Sequence, residues 1–195
     1  MSADKNTCKL LSSGNIRLPR ARLYYPHFFK PQMRKGETDQ WKARYQTTVL
    51  LPKNAEMALL LKAVEDAAIA KWGSDYAKKI KVKKPFLKTE EQPKMAELVD
   101  DYPVFLRLNS KDKPGVVFAN GTTCTEEKSH EVYGGRWAFV SVRAAAYEVD
   151  GSKGVGLYLQ NVQLLEDDER LGGGRVSAEA EFESIGSETT EEMFS

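Results

Sequence analysis

Several features that mark common functional classes are scarce in this 195-residue chain. It contains two cysteines, Cys8 and Cys124, which stand 116 positions apart and lack the CxxC spacing of metal and redox motifs. The longest uninterrupted apolar run, Met57 to Leu61, is far shorter than the roughly 18 to 20 residues needed to cross a bilayer. The N-terminus lacks the continuous apolar core of a signal peptide. These absences favour a protein of a reducing cytoplasm.

Side chains that could perform catalysis are also sparse. Cys124 and His130 share one polar stretch with two glutamates, but their spacing matches no common metal site. A lone cysteine and histidine in such a stretch more often have no chemical role than form an activated thiolate. The carboxylates at 166–169 are typical of a solvated turn, and no phosphate-binding GxxxxGK[ST] loop is present. We therefore expect no catalytic residue, no metal and no cofactor.

Charge is balanced over the whole chain but not along it. The 29 Lys and Arg and 28 Asp and Glu give a net charge of +1, yet six glutamates and no cation follow Arg175. Residues 1–175 therefore hold 29 basic and 22 acidic side chains, a net charge of +7. Gly172 to Gly174 and the polar, acidic residues after them predict a flexible joint and a disordered tail. The predicted division is a folded domain over 1–171 and a tail over 172–195.

Alternating apolar and polar residues predict about six strands. They lie at 15–25, 42–51, 102–108, 115–119, 136–149 and 154–165. The dipeptide Asp150-Gly151 accepts positive φ, so it predicts a tight hairpin between the last two strands. Residues 26–41 contain two prolines, one glycine and no sustained period, and they predict a long loop.

One strong helix is predicted between Asn54, a plausible N-cap, and Gly73, a plausible C-terminal cap. Its apolar residues recur at helical spacing, which is typical of a helix packed on a barrel wall. One helix among about six strands favours a mainly β chain. The fold class we predict is an OB-fold-like barrel of five or six strands with one principal α-helix.

The stretch from Arg17 to Arg44 interleaves cations with aromatic rings. Cations follow the phosphates of a single strand and flat rings stack on its bases, so this pattern predicts a nucleic-acid-binding surface. The arginines at 17, 20 and 22 are expected to face outward, and Phe28, Phe29 and Trp41 to lie in the surface loop. The lysines between 78 and 88 suggest only phosphate attraction. The predicted binding residues are Arg17, Arg20, Arg22, Tyr24, Tyr25, Phe28, Phe29, Lys30, Arg34, Lys35, Trp41, Lys42 and Arg44.

Three segments and the acidic end carry a resemblance to a known family. The segments are RLYYPHFFKP at 22–31, TVLLPKNAE at 48–56 and GGRWAFVSVRAAAYEVDGSKGVGLYLQNVQLL at 134–165. In this order and spacing the chain resembles the bacteriophage single-stranded DNA-binding proteins, which have an OB fold and an acidic C-terminus. The tail departs from the family pattern because it is rich in Glu rather than Asp and places Phe194 next to last.

The resemblance implies sequence-tolerant binding and protection of single-stranded DNA during replication and recombination in the host cytoplasm, without catalysis. It also implies that the tail contacts a polymerase, helicase or recombination protein, through Glu188, Glu191, Glu192 and Phe194. We further expect the tail to compete with DNA, because both are polyanions. The alternative from the residues alone is a protein-interaction module of a phage replication complex that does not bind DNA. A preference for DNA over RNA and association with further copies of the chain are left open.

Overall fold

The computed structural model describes residues 3–171, which form one mainly β unit. The strands are β1 Lys9–Leu10, β2 Ile16–Arg17, β3 Ala21–Gln32, β4 Arg44–Leu51, β5 Phe86–Lys88, β6 Val104–Ser110, β7 Gly115–Val117, β8 Trp137–Val149 and β9 Ser152–Leu164. The helices are α1 Ala58–Trp72 and α2 Tyr76–Lys79. Short 3-10 turns occupy Ala3–Asn6, Gln40–Lys42, Thr89–Glu91, Pro93–Leu98 and Glu126–Glu131. Neither helix of this part of the chain has the length and apolar character required to traverse a membrane.

Five strands pair into a closed ring. The ring runs β8-β3-β4-β6-β9 and returns to β8. Every pairing in it is antiparallel except that of β6 with β9, which is parallel and is made at Asn109 and Tyr158. A five-stranded ring with one principal helix agrees with the predicted OB-type barrel, so the predicted fold class is confirmed.

The hairpin predicted between the last two strands is present. β8 and β9 pair over their whole length, from Ala138 opposite Leu164 to Val149 opposite Ser152. Asp150 and Gly151 form the turn with φ values of 49° and 75°. Two successive positive φ values suit the right-handed twist of the strands, which is why a short Asp-Gly turn joins them.

The predicted helix is also present, but it begins later than expected. α1 starts at Ala58 with Met57 at its N-cap, so the prediction of Asn54 as the cap is wrong. Leu60, Val64 and Ala68 of α1 are buried and join the main core inside the ring. The helix ends at Gly73, where φ is 88°. α1 therefore closes one side of the barrel, as its apolar spacing predicts.

The predicted loop over 26–41 is wrong for its first half, because β3 continues to Gln32. Tyr25 has a φ of 48°, and the pairing of β3 with β4 shifts register between Tyr24 and His27. This irregularity is a bulge, a place where a strand accommodates a proline, and Pro26 occupies it. Proline and glycine content therefore signalled a bend within the strand rather than its end.

A second apolar cluster lies outside the ring, over one end of β3, β4 and β6. It contains the buried side chains of Tyr24, Leu50, Met95, Tyr102 and Phe105. Residues 89–102 supply the cover through two 3-10 turns. The outer faces of these strands are thus covered at one end, and the exposed residues Gln46, Arg107 and Asn109 lie beyond the cover.

Candidate nucleic-acid interface

A row of polar side chains crosses the uncovered outer face of the ring. Strand register aligns His27 with Gln46, Gln46 with Asn109, Asn109 with Tyr158 and Tyr158 with Arg143. The row therefore takes one residue from each of the five strands. Because these five strands form a closed ring, the row follows its curved outer surface, and four steps of the usual strand spacing give a path of roughly 19 Å. Burial lowers the pKa of His27, so this imidazole is neutral near pH 7 and Arg143 supplies the positive charge of the row.

An open cleft of about 520 Å³ adjoins this row. Four cations line it, and no carboxylate is among the described residues of its wall. The wall is formed by Arg34, Lys83, Lys84, Pro85, Leu87, Arg107, Asn109, Tyr147, Val155, Gly156, Leu157 and Tyr158. The cleft therefore combines basic side chains with two tyrosine rings, the pairing that single-stranded nucleic acids require.

The basic side chains reach the cleft from three separate parts of the chain. The backbone N–H of Lys83 donates to the Lys153 carbonyl at 2.9 Å, and the Lys83 carbonyl accepts from Val155 N–H at 2.9 Å. Lys83 is thereby held against β9. Lys84 Nζ lies 3.2 Å from the Glu65 carboxylate, so part of its charge is neutralised. Arg107 projects from β6 and is exposed, with its guanidinium 5.6 Å from the ring centre of Phe105.

The predicted arginines near the N-terminus lie on another face. Arg22 is 7% exposed, so the expectation that it faces outward is wrong. Its Nε donates to the Gly135 carbonyl at 2.7 Å, and its Nη2 donates to the Glu169 carbonyl and lies 3.5 Å from Asp168 Oδ1. These contacts satisfy the guanidinium inside the protein and tie three segments of the chain together.

Arg17 and Arg20 stack on aromatic rings of β8. The Arg17 guanidinium lies 4.1 Å from the ring centre of Phe139, and that of Arg20 lies 4.1 Å from the ring centre of Trp137. Arg20 Nη1 is also 3.3 Å from Glu166 Oε1. At this distance the cation–π pairs stabilise the fold. The two guanidinium groups are thereby less available for contact with a nucleic acid.

The acidic partners of Arg20 and Arg22 belong to residues 166–171, which we call the acidic strap. The Trp137 indole N–H donates to Asp168 Oδ2 at 2.7 Å, and the Tyr133 hydroxyl donates to Asp167 Oδ1 at 2.7 Å. The backbone N–H of Glu169, followed by the Trp137 N–H, holds the pKa of Asp168 below its usual range. Residues 166–169 are exposed, as predicted for a solvated segment, but they form no turn and are bound to the barrel.

Two glycines allow the strap to lie close to the barrel. Gly135 has a φ of 108°, and a Cβ there would collide with the Glu169 carbonyl oxygen. The neighbouring Gly134 accepts a hydrogen bond from Leu171 N–H at 2.8 Å. The Gly-Gly pair that precedes β8 is therefore a docking point for the strap.

The predicted aromatic residues divide into buried and exposed groups. Phe28 is 1% exposed and belongs to the main core, so its predicted position in a surface loop is wrong. Tyr24 is 8% exposed and packs in the second cluster. Tyr25 and Trp41 are 55% and 69% exposed, and Phe29 is half-buried with Lys113 Nζ 5.4 Å from its ring centre. Tyr25 and Trp41 are the members of this group with the most surface available for stacking.

The remaining predicted cations lie on β3, β4 and the connection between them. Arg34 lines the cleft, and Lys35 is exposed near it in sequence. Lys42 Nζ lies 2.8 Å from Glu37 and 3.1 Å from Asp39, while Arg44 Nη1 donates to the Trp41 carbonyl at 2.9 Å. Lys30 is exposed, 3.9 Å from Glu126. Lys42 and Arg44 therefore hold the connection in shape, whereas Arg34 points to the cleft.

Among the residues that complete the cleft, the sequence pointed only to Lys83, one of the lysines for which phosphate attraction was expected. It did not single out Arg107, Asn109, Tyr147 and Tyr158. A signal was available for Arg107, because it alternates with buried residues along the predicted strand, and in β6 this alternation continues to Asn109. None of the five is recognisable as part of one site without the pairing of β6 with β9. The predicted tail residues Glu188, Glu191, Glu192 and Phe194, and the tail domain 172–195, lie outside the described residues.

The cysteine considered for catalysis, Cys124, lies in an environment that disfavours the reactive thiolate. Cys124 is 2% exposed, and burial, with the neighbouring Glu131 carboxylate, raises the pKa of its thiol. The thiol therefore stays protonated near neutral pH, whereas a nucleophilic cysteine needs a lowered pKa. Within residues 3–171, no three His, Cys, Asp or Glu side chains are grouped to hold a metal ion.

Comparison with known proteins places these features in a family. The family described as Enterobacter phage Enc34, ssDNA-binding protein, matches residues 14–194. One similar structure is the single-stranded DNA-binding protein from bacteriophage Enc34 in complex with ssDNA, which is 22% identical in sequence to this chain. The aligned region covers 86% of this chain and 94% of the Enc34 chain, with a TM-score of 0.66.

Two further structures share the fold. The single-stranded DNA-binding protein from bacteriophage Enc34 has 24% identity and a TM-score of 0.65, over 89% of this chain and 92% of that one. The gp2.5 single-stranded DNA binding protein encoded by bacteriophage T7 has 16% identity and a TM-score of 0.58, over 82% and 95%. No curated protein sequence matches. Because the family match spans almost the whole chain, this protein belongs to the phage Enc34 single-stranded DNA-binding protein family.

Proposed function

We propose that this protein binds single-stranded DNA, with little sequence preference, across the polar row and the adjoining cleft. The observation that carries the proposal is the composition of the cleft, where Arg34, Lys83 and Arg107 surround two tyrosines without an acidic neighbour in its described wall. Cations there attract phosphates, and the rings stack on bases. The family and the relative solved with ssDNA support the same function.

The position of the cleft supports the proposal independently. In OB folds, oligonucleotides bind the face of the second and third barrel strands and the two loops that flank it. Those strands here are β4 and β6, and the flanking connections are residues 33–43 and the Asp150-Gly151 turn. The polar row crosses both strands, and Arg34 and Trp41 belong to the first connection.

The thirteen residues predicted from the sequence enter the proposal unequally. We propose direct DNA contacts for the exposed ones, which are Tyr25, Lys30, Arg34, Lys35 and Trp41. Phe29, Lys42 and Arg44 would shape the connection that carries Trp41. Arg17, Arg20, Arg22, Tyr24 and Phe28 would act through the fold, because they are buried or already paired.

Removing one cleft cation tests the proposal. Arg107→Ala should weaken binding to an oligo-dT strand by roughly five- to tenfold at moderate salt. It should also lower the slope of log affinity against log salt by about 0.7, the value expected per phosphate contact on a single strand. A mobility shift across a salt series measures both quantities, with single-stranded DNA, duplex DNA and RNA compared side by side.

Lys62→Ala is the matched control, because Lys62 is 71% exposed on α1 and pairs only with Asp66 in the described structure. It removes one positive charge and should leave the slope and affinity unchanged. Equal effects of the two substitutions would show that DNA binding depends on the net charge of the protein, and they would contradict a binding site in the cleft. Salt-insensitive binding to a protein, with no DNA shift, would favour the interaction-module alternative.

We also propose that the protein protects single strands during phage replication and recombination in the host cytoplasm, without catalysing a reaction. The tail would recruit replication partners through Glu188, Glu191, Glu192 and Phe194 and would compete with DNA for the cleft.

Deleting residues 176–195 tests the role of the tail. It removes six glutamates and no cation, so DNA binding should tighten at low salt and the difference should shrink as salt screens it. Replacing the six glutamates by glutamine in the full chain is the control for length, and it should act like the deletion. Equal affinity of the intact and shortened chains at low salt would contradict the competition. Retained binding of a replication partner by the shortened chain would contradict recruitment.

A further inference from the structure

Two glycines of β9 lie beneath the two tyrosines of the cleft. Gly154 is paired with Tyr147 across the hairpin. A Cβ added to Gly154 would lie 2.5 Å from Cζ and 2.8 Å from Cε1 of Tyr147 and would also meet its hydroxyl oxygen. The hydroxyl oxygen and Cζ are the nearest of these atoms, so the added Cβ would collide with the hydroxyl end of the side chain. The hydroxyl end of Tyr147 therefore packs over the backbone at Gly154.

Gly156 has the same relation to Tyr158, with more room. Its added Cβ would lie 3.4 to 3.5 Å from Cε2, Cζ and the hydroxyl oxygen of Tyr158, which is ordinary van der Waals contact. Neither glycine has a φ in the left-handed region, so the backbone alone does not require glycine at these positions. The space taken by Tyr147 excludes a side chain at Gly154, whereas a methyl group at Gly156 would touch Tyr158 without a collision.

We propose that Gly154 and Gly156 are positioning residues that seat Tyr147 and Tyr158 as a stacking platform for nucleobases. The inference rests on the proposed function, because it assigns part of the cleft to bases rather than phosphates. The hydroxyl end of each tyrosine packs beside the backbone of its glycine, while the side chain lines the cleft with Lys83 and Arg107. A ring held in this way loses little freedom on stacking, and any base can stack on it, which fits sequence-tolerant binding.

The test is a double-mutant cycle between Gly154 and Tyr147. Gly154→Ala should displace the ring and weaken oligo-dT binding by between fivefold and a hundredfold, the range that corresponds to about one lost stack. In the Tyr147→Ala background the same glycine substitution should have no further effect on affinity, since it acts only through the ring. Additive losses would show that Gly154 acts independently of Tyr147 and would overturn the proposal.

An abasic oligonucleotide of the same length distinguishes stacking from charge. The wild-type protein should bind oligo-dT more tightly than the abasic strand, and Tyr147→Ala and Gly154→Ala should reduce this ratio while leaving the salt slope unchanged. Tyr147→Phe and Tyr158→Phe should keep the ratio because they keep the ring. A wild-type protein that binds the two strands equally, with a normal salt slope, would overturn the platform and leave the proposed function intact.

Two milder substitutions keep the proposal testable if Gly154→Ala does not fold. Gly156→Ala meets only close contact and should lower the ratio less than Tyr158→Ala does. Thermal unfolding of each variant shows which ones fold like the wild type. If folded Tyr158→Ala and Tyr147→Ala retain the wild-type ratio, the platform is contradicted. If no variant and not even the wild type binds single strands, the proposed function itself fails.

Discussion

Arg22 and Arg107 lie on strands of the same ring, and only Arg107 is exposed. Arg22 is enclosed by Tyr102, Gly135 and the acidic strap, whereas Arg107 opens into a cleft without a carboxylate in its described wall. The two arginines have the same chemistry, but one has exchanged water for internal partners. A basic side chain can bind a phosphate only if the fold has not already neutralised it. We therefore propose different roles for the face that carries Arg17, Arg20 and Arg22 and for the cleft, which are stability for the first and DNA recognition for the second.

Removing Arg22 should have the largest effect on stability. Arg22→Ala leaves the partly exposed Asp168 and two backbone carbonyls without their cationic partner, and the loss of such hydrogen bonds to a buried guanidinium costs about 2 kcal/mol. Urea unfolding at neutral pH measures the loss. The folded fraction should still bind oligo-dT with wild-type affinity, and a weakened affinity with unchanged stability would reverse the roles assigned to the two faces.

Asp168 should contribute a smaller and pH-dependent part. Its folded-state pKa is depressed, so its stabilisation is present above the unfolded value of about 3.9 and disappears as pH falls through the lower folded value. Asp168→Asn should cost about 1 kcal/mol or less at pH 7, since solvent screens a partly exposed carboxylate. The variant should also show a flatter loss of stability in acid. Parallel curves of unfolding free energy between pH 5 and 2 would contradict this contribution.

Arg20 should have the smallest effect on binding. Arg20→Ala removes a cation that is stacked on Trp137 and paired with Glu166, so oligo-dT affinity should stay within about twofold and the salt slope unchanged. The comparison with Arg107→Ala, measured in the same salt series, is direct because each substitution removes one arginine. If Arg20→Ala changes the slope of log affinity against log salt as much as Arg107→Ala does, both faces belong to one DNA-binding surface.

Local patterns predicted most of the elements. The 3.6-residue period predicted α1, and the Asp150-Gly151 dipeptide predicted the hairpin of β8 and β9. The cap of α1 and the length of β3 were wrong, because Asn54 and Pro26 are local signals that the tertiary structure overrode. A proline marks a strand end in most sequences, and only the bulge at Tyr25 makes it compatible with a continuing strand.

The candidate site was much less predictable than the fold. Arg34, Lys83, Arg107 and Tyr158 are far apart in sequence and meet only because β6 pairs in parallel with β9. No local period reports a long-range pairing of this kind. The dense arginines at 17, 20 and 22 are a stronger local pattern, but Arg20 and Arg22 are paired with the strap about 145 residues later. Cation density was readable from the sequence, whereas cation availability was not.

The parallel bridge between Asn109 and Tyr158 makes the ring unequal around its circumference. β8 and β9 are joined over thirteen-residue strands, while β6 and β9 meet at this one bridge in the described part of the chain. Local opening of a barrel costs least where the fewest backbone hydrogen bonds must break. Asn109 and Tyr158 also line the cleft, so the least extensive strand pairing of the described ring, that of β6 with β9, lies at the cleft. A DNA strand bound across the contact between β6 and β9 would stabilise this contact. Bound DNA should therefore slow amide hydrogen exchange along β6.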